Sequence, residues 1–229
     1  MLGEWIFPVR RLTIAAILLI CPGAEAANVP DWPDTFLTRV ETLALMQSLN
    51  AELLGSRSAT LTLEKWCRDH RLADPAKVIA VLDRGVDKPV SAEQRQRLQV
   101  TENEPVAFRR VRLLCGDRLL SEADNWYVPS RLTPDMNRLL ETTDTPFGKA
   151  VQALAPTRQT FAVKLLWSPL PEGWELAPPP PEAQSPDTLA IPDGLFEHRA
   201  VLYTRDKQPF SEVDEVYQRQ LLSFPPPAR

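Results

Sequence analysis

The stretch from Phe108 to Pro129, FRRVRLLCGDRLLSEADNWYVP, limits the possible folds of this chain more than any other. It reads as a strand, a tight turn at Gly116-Asp117 and a return strand, since a turn dipeptide between two strand-like runs is a hairpin signal. The first strand carries Arg109, Arg110 and Arg112 on the way into the wholly apolar Leu113-Leu114-Cys115. Guanidinium groups beside an apolar triplet raise the question of which anion they hold.

The chain around this hairpin has 229 residues, enough for one substantial core, and a single domain is expected. A formal net charge of −4 provides no broad basic field, so nucleic acid is not an expected partner. Prolines number 23 against 8 glycines. Proline fixes φ and lacks an N–H, so these residues should mark edges, entries and loops. Few glycines argue against a phosphate-cradling loop, and neither GxGxxG nor GxxxxGK[ST] occurs.

Residues 1–26 read as an export signal. Arg10 and Arg11 precede the apolar Leu12–Ile20, and the small-residue site Ala24-Glu25-Ala26 follows Pro22-Gly23. The apolar run is short for a membrane span, so no stable membrane insertion is expected after cleavage. The mature protein would be periplasmic or secreted, or cytoplasmic if the start codon is mis-assigned. Cys67 and Cys115 then remain; they can pair in an oxidising compartment or serve as two small buried apolar side chains.

Residues 27–229 are expected to form one domain. Asp34–Leu54 has apolar residues near the 3.6 period and reads as a long helix ending at Gly55. Ser56–Thr60 reads as a polar connection, with Thr62 capping a helix over Leu63–Arg71. Cys67 and His70 stand at i, i+3 there, but too few further ligands exist for a zinc site, and no metal is expected. A strand over Lys77–Asp83 and a helix over Ser91–Leu98 lead to the hairpin. Beyond it come a helix over Thr133–Glu141 with Pro134 at its first position, a turn at Thr145–Gly148, and further helix over Lys149–Leu154. Thr160–Ser168 alternates Phe161, Val163 and Leu165 as a strand. Residues 178–192 form a proline-rich exposed loop. Strands over His198–Thr204 and Phe210–Tyr217 turn at Asp206-Lys207, and 225–229 should be a disordered tail. About six strands with antiparallel connections, plus helices, predict an α+β domain with one antiparallel sheet flanked by helices.

No GxSxG elbow, HExxH or thiol–histidine arrangement supports covalent or metal chemistry. What remains is an arginine on a strand and the acidic residues Glu212, Asp214 and Glu215 on the last strand. A guanidinium grips a carboxylate by two parallel hydrogen bonds, and a carboxylate across a pocket accepts from a hydroxyl. On spacing alone, surface pairs across strands, each worth well under about 1 kcal/mol, explain these charges more plainly.

Three stretches change that weighting: LLGSRSAT (Leu53–Thr60), RVRLLC (Arg110–Cys115) with Asp117 and Val128-Pro129, and TPFG (Thr145–Gly148). With the final hairpin Lys207–Tyr217, they resemble the chorismate lyase family over about Leu53 to Tyr217. The resemblance implies an antiparallel sheet with a closed internal ligand site under two helical flaps. It also implies a cofactor-free lyase converting chorismate to 4-hydroxybenzoate and pyruvate. Arg110 falls on the arginine that holds the ring carboxylate, and Ala59 and Phe147 fall on residues whose backbone amides touch the ligand. Glu215 falls on the glutamate reaching the ring oxygen, with Asp214 and Glu212 as neighbouring alternatives. Glu212 and Asp214 share one strand face, opposite Glu215. Asn125 stands where the family has a second arginine, which removes a charge that would meet a dicarboxylate. The expected partner is a small aromatic or cyclic carboxylate, bound by a monomer. The same fold serves some bacterial transcription regulators as a sensing domain, but nothing before Asp34 reads as a DNA-binding domain.

Overall fold

A computed structural model describes residues 31–176, 178–179, 181 and 187–227. The expected signal at 1–26 and much of the proline-rich loop lie outside them. Six strands form one antiparallel sheet: β1 (Val78–Asp83), β2 (Ala107–Cys115), β3 (Arg118–Tyr127), β4 (Thr157–Leu165), β5 (Gly194–Tyr203) and β6 (Pro209–Gln218). Their spatial order is β1-β2-β3-β6-β5-β4. The fold is therefore α+β, as the strand count and connections predict. Pro209 stands at the first residue of β6, a position that a missing N–H permits.

One sheet face carries the main core. Val111, Leu113 and Cys115 of β2 point there, as do Ala123 of β3, Val213 and Tyr217 of β6, and Phe196, Ala200 and Leu202 of β5. Helices α1 (Phe36–Gly55) and α2 (Ala59–Asp69) contribute to this core. The stripe that α1 buries is Thr38, Thr42, Met46, Leu49 and Leu53, whereas Leu37 and Leu54 are exposed. Its polar members are accommodated locally: Thr42 Oγ1 donates to the Thr38 carbonyl oxygen at 2.8 Å. Cys67 of α2 is joined to Cys115 of β2 by a disulfide, so the two small side chains are a covalent tie across the core.

The opposite face is largely polar. Helix α3 (Ala92–Leu98), held at its start by a reciprocal Ser91–Gln94 capping box, covers one end of it. Beneath it Leu98, Trp126 and Val128 make a small second core. Two further helices, α4 (Pro134–Thr142) and α5 (Phe147–Ala150), follow β3 and lead into β4.

The sequence reading of two elements needs correction. Helix α2 begins at Ala59 with Ser58 as its cap, not at Leu63 with Thr62, because the Ser58 hydroxyl accepts from the Leu61 N–H. That moves a helix N-terminus into the expected polar connection. In β4 a bulge between Thr160 and Ala162 breaks the alternation, so that Phe161 turns to the outer face while Val163 and Leu165 pair with His198 and Phe196 of the inner face; on this edge strand all three are 41–45% exposed. Phe161 lies under the Arg97 and Arg199 guanidinium groups, at 4.7 and 5.4 Å from its ring centre. The inward residues of β4 include Arg158.

Candidate functional site

A cavity of about 50 Å³ opens between the inner sheet face and a lid made by two segments. The first segment is the N-terminus of α2, with Ser58, Ala59 and Thr60. The second is the start of α5, with Phe147 and Gly148. Gly148 lets the two meet: a Cβ there would stand 2.9 Å from Ser58 Oγ and 3.2 Å from Thr60 Oγ1. Phe147 is fixed by ring contacts with Tyr127 and Phe210 at 5.6 and 6.3 Å. The first N–H groups of α2 have no intrahelical acceptor, and the helix dipole adds positive potential at that end.

The sheet supplies the charged side of the cavity. Arg109 of β2 lines it and is 5% exposed. Its Nη2 donates to the Thr145 carbonyl oxygen at 3.0 Å, while Nε and Nη1 have no hydrogen-bond partner among the described residues. None of the described residues forms a salt bridge with it either. Burial pulls its pKa down to about 10, so it remains a cation at neutral pH. An uncompensated buried guanidinium beside a cavity is a strong electrostatic invitation to an anion.

Across the cavity stands Glu215 of β6, whose Oε2 lies 2.6 Å from Arg158 Nη2. Both side chains are nearly sealed, at 7% and 4% exposure. The contact is close but poorly aligned, and Arg158 Nε has no hydrogen-bond partner among the described residues. Tyr217 OH donates to the same Glu215 oxygen at 3.0 Å. Its pKa is raised well above the usual range, first by burial and then by Glu215. Below them His198 Nε2 meets Asn50 Oδ1 at 2.7 Å. Burial, followed by the Arg158 charge, depresses the pKa of His198 to about 4.

Of the residues picked from the sequence, Glu215, Ala59, Phe147 and Asn125 line this cavity. Asn125 Oδ1 accepts from Ser211 Oγ at 2.8 Å. Arg110 does not line it. Its side chain is on the opposite face, where Nε and Nη2 grip Asp124 at 2.6 and 2.7 Å, and Lys88 Nζ adds a 2.5 Å contact. The reason is strand parity: Cys115 is anchored inward by its disulfide, so alternation brings Leu113, Val111 and Arg109 inward and leaves Arg110 outside. Glu212 is also on the outer face, holding Arg97 at 2.7 and 2.8 Å. Asp214 shares that face, as alternation predicts.

Sequence reasoning passed over both inner-face arginines that line the cavity, Arg109 and Arg158; the third arginine of the lining, Arg57, is exposed. The period-2 pattern of Arg109, Val111, Leu113 and Cys115 carried the signal for the first. Arg158 sits just before the apolar run taken as β4, and nothing in its surroundings marked it. Among the described residues no group of three or more His, Cys, Asp or Glu side chains is arranged to hold a metal ion. No described helix is long and apolar enough to cross a membrane.

No family model matches the sequence. The chain is 50% identical over 217 residues to the uncharacterized protein y4mC of Sinorhizobium fredii, covering 93% of this chain and 91% of that one. Among solved structures, it is similar to the possible transcriptional regulator YydK of Bacillus subtilis, with 14% identity and a TM-score of 0.39. That match covers 66% of this chain and 62% of the other. It is similar also to PhnF of Mycobacterium smegmatis, with 14% identity, a TM-score of 0.40, and 67% and 63% of the two chains covered. In both cases the match spans less than two thirds of the other protein's length.

Proposed function

The chain belongs to the family of the Sinorhizobium fredii protein y4mC, and we propose that it binds a small aromatic or cyclic carboxylic acid in the cavity beneath α2 and the TPFG turn. The observation that carries this reading is Arg109: buried, charged, facing a cavity and lacking a carboxylate partner among the described residues. Its Nη1, which has no partner among the described residues, is free to donate to a carboxylate, with help from the N–H groups at the start of α2. Phe147, Val111 and Leu113 supply the apolar wall that a ring requires. Glu215 at the far side accepts from a hydroxyl or faces an ether oxygen.

The resemblance to chorismate lyases puts the clamp at Arg110, whose side chain grips Asp124 on the outer face; in this reading Arg109 takes that role instead. A second reading, lyase activity on chorismate, draws on the placement of Glu215 across the cavity from Arg109, but chorismate carries two carboxylates and the inner face offers one unpaired cation. Catalysis would then come from orientation and electrostatics in a dry site. The mature protein is also proposed to be exported. The basic, apolar and A-x-A pattern at its N-terminus and the Cys67–Cys115 disulfide both suit an oxidising compartment.

Thermal unfolding with added 4-hydroxybenzoate tests the binding reading. At a hundredfold excess over Kd, stabilisation of about 2.7 kcal/mol is expected. No response to any aromatic monocarboxylate refutes it. Incubation with chorismate, followed by absorbance of 4-hydroxybenzoate, separates lyase from binding module. The mass of the protein isolated from cell fractions tests export: a chain starting at Ala27 supports it, and full-length cytoplasmic protein refutes it.

A further inference from the structure

We infer that the cavity selects a singly charged carboxylate over a dianion of the same shape, an inference that rests on the binding reading above. The charges on the cavity wall set this preference. Three ionic side chains reach it from the inner sheet face: Arg109, Arg158 and Glu215. Arg158 and Glu215 neutralise each other at 2.6 Å with both side chains sealed from water. Arg109 is left as the one unpaired charge among these three.

The other polar neighbours add no formal charge. Asn125 is neutral and its oxygen is engaged by Ser211. His198 holds Asn50 and keeps its ring uncharged at neutral pH. Arg57 lies at the mouth and is exposed, so water and salt screen it. A ligand with one carboxylate therefore balances the wall. A second carboxylate would enter a desolvated region where the nearest cation, Arg158, is already held by Glu215. The uncharged end of the ligand meets that pair, which suits a hydroxyl or amide and not another anion.

The test uses two acids of nearly equal shape, 4-carbamoylbenzoate and terephthalate, titrated calorimetrically into the intact mature protein. The monoanion is expected to bind at least tenfold more tightly. Glu215→Gln frees the Arg158 charge and should shift the preference at least tenfold toward terephthalate. The double change Arg158→Met with Glu215→Gln removes the pair together, leaves Arg109 alone and should restore the wild-type order. If Glu215→Gln does not fold, the wild-type comparison and the double variant decide. Equal or tighter terephthalate binding by the wild type overturns the charge count. If Arg109→Met then abolishes both ligands, the binding reading survives that result. Failure of both acids and of benzoate to bind removes the reading and this inference together.

Discussion

Replacing Arg109 by Met should make the empty protein more stable while destroying its response to ligand. Burial holds the Arg109 pKa at about 10 against an ordinary 12.5. At about 1.36 kcal/mol per pH unit, keeping that group charged inside the fold costs about 3 kcal/mol at neutral pH. Methionine retains much of the stem's volume and carries no charge, but it forfeits the hydrogen bond to the Thr145 carbonyl oxygen, worth about 1 kcal/mol. The net expectation is a gain of about 2 kcal/mol. For a domain of this size that corresponds to a rise in Tm of about 4–8 °C. Differential scanning calorimetry with and without 4-hydroxybenzoate reads both halves of the prediction. A lower Tm would show that the guanidinium is a structural strut, and an unchanged ligand shift would remove it from the binding site. Either result defeats the reasoning, because a strut and an unoccupied anion anchor have opposite effects on the empty fold.

Changing Cys67 and Cys115 to Ser removes a link between residues 48 apart in sequence, and loop-closure entropy puts the loss near 4 kcal/mol, readable by urea denaturation. Gly148→Ala drives a methyl group against the Ser58 hydroxyl that caps α2, so a loss of about 1–2 kcal/mol and weaker ligand binding are expected; full retention of both would show that the lid tolerates the added volume. Asp214 has its pKa raised to about 6, chiefly by burial and then by Glu197. Its contribution is favourable below about pH 4 and is lost as pH rises through 6. His198, lowered to about 4, contributes in the opposite sense: stability falls as pH drops from 6.5 through 4. The two slopes oppose each other in the wild type. Asp214→Asn should therefore stabilise the protein by about 1–2 kcal/mol at pH 7, after discount for its partial exposure, and should uncover a rise of about 3 kcal/mol between pH 4 and 6.5. A flat profile in that variant refutes the assignment to His198.

The fold was legible because its signals are local. The Gly116-Asp117 turn and Pro134, at a first helical position just after Thr133, each specify backbone geometry over a few residues. The site was legible only where parity could be anchored. Glu215 was assigned to the face opposite Glu212 and Asp214 by simple alternation, and the structure agrees. Arg110 was chosen by matching a motif, which fixes position along a strand but not the face that the position presents. A one-residue difference exchanges the cavity for the outer surface. The disulfide that sets the parity of β2 joins two elements far apart in sequence, so the same residues that decide the matter cannot be paired by reading along the chain. In β4 the apolar alternation itself misleads. Phe161 is covered by two guanidinium groups on the outer face, and Arg158 takes the inner one.

The two faces of the sheet deal with charge in opposite ways, and that contrast locates the site more firmly than any single residue. Outside, Arg110 is gripped by Asp124, and Glu212 by Arg97, each through two hydrogen bonds. Such partners satisfy both sides of the pair, and nothing further is needed for the fold to tolerate them. Inside, Arg158 and Glu215 are paired in poor alignment, and Arg109 is held by a backbone carbonyl at one nitrogen only. Stability alone would not preserve that arrangement, since an apolar side chain at position 109 fills the space without the charge penalty. A buried cation left without its counter-ion, under a lid closed by Gly148 against Ser58, is the state expected of a protein whose counter-ion arrives from solution.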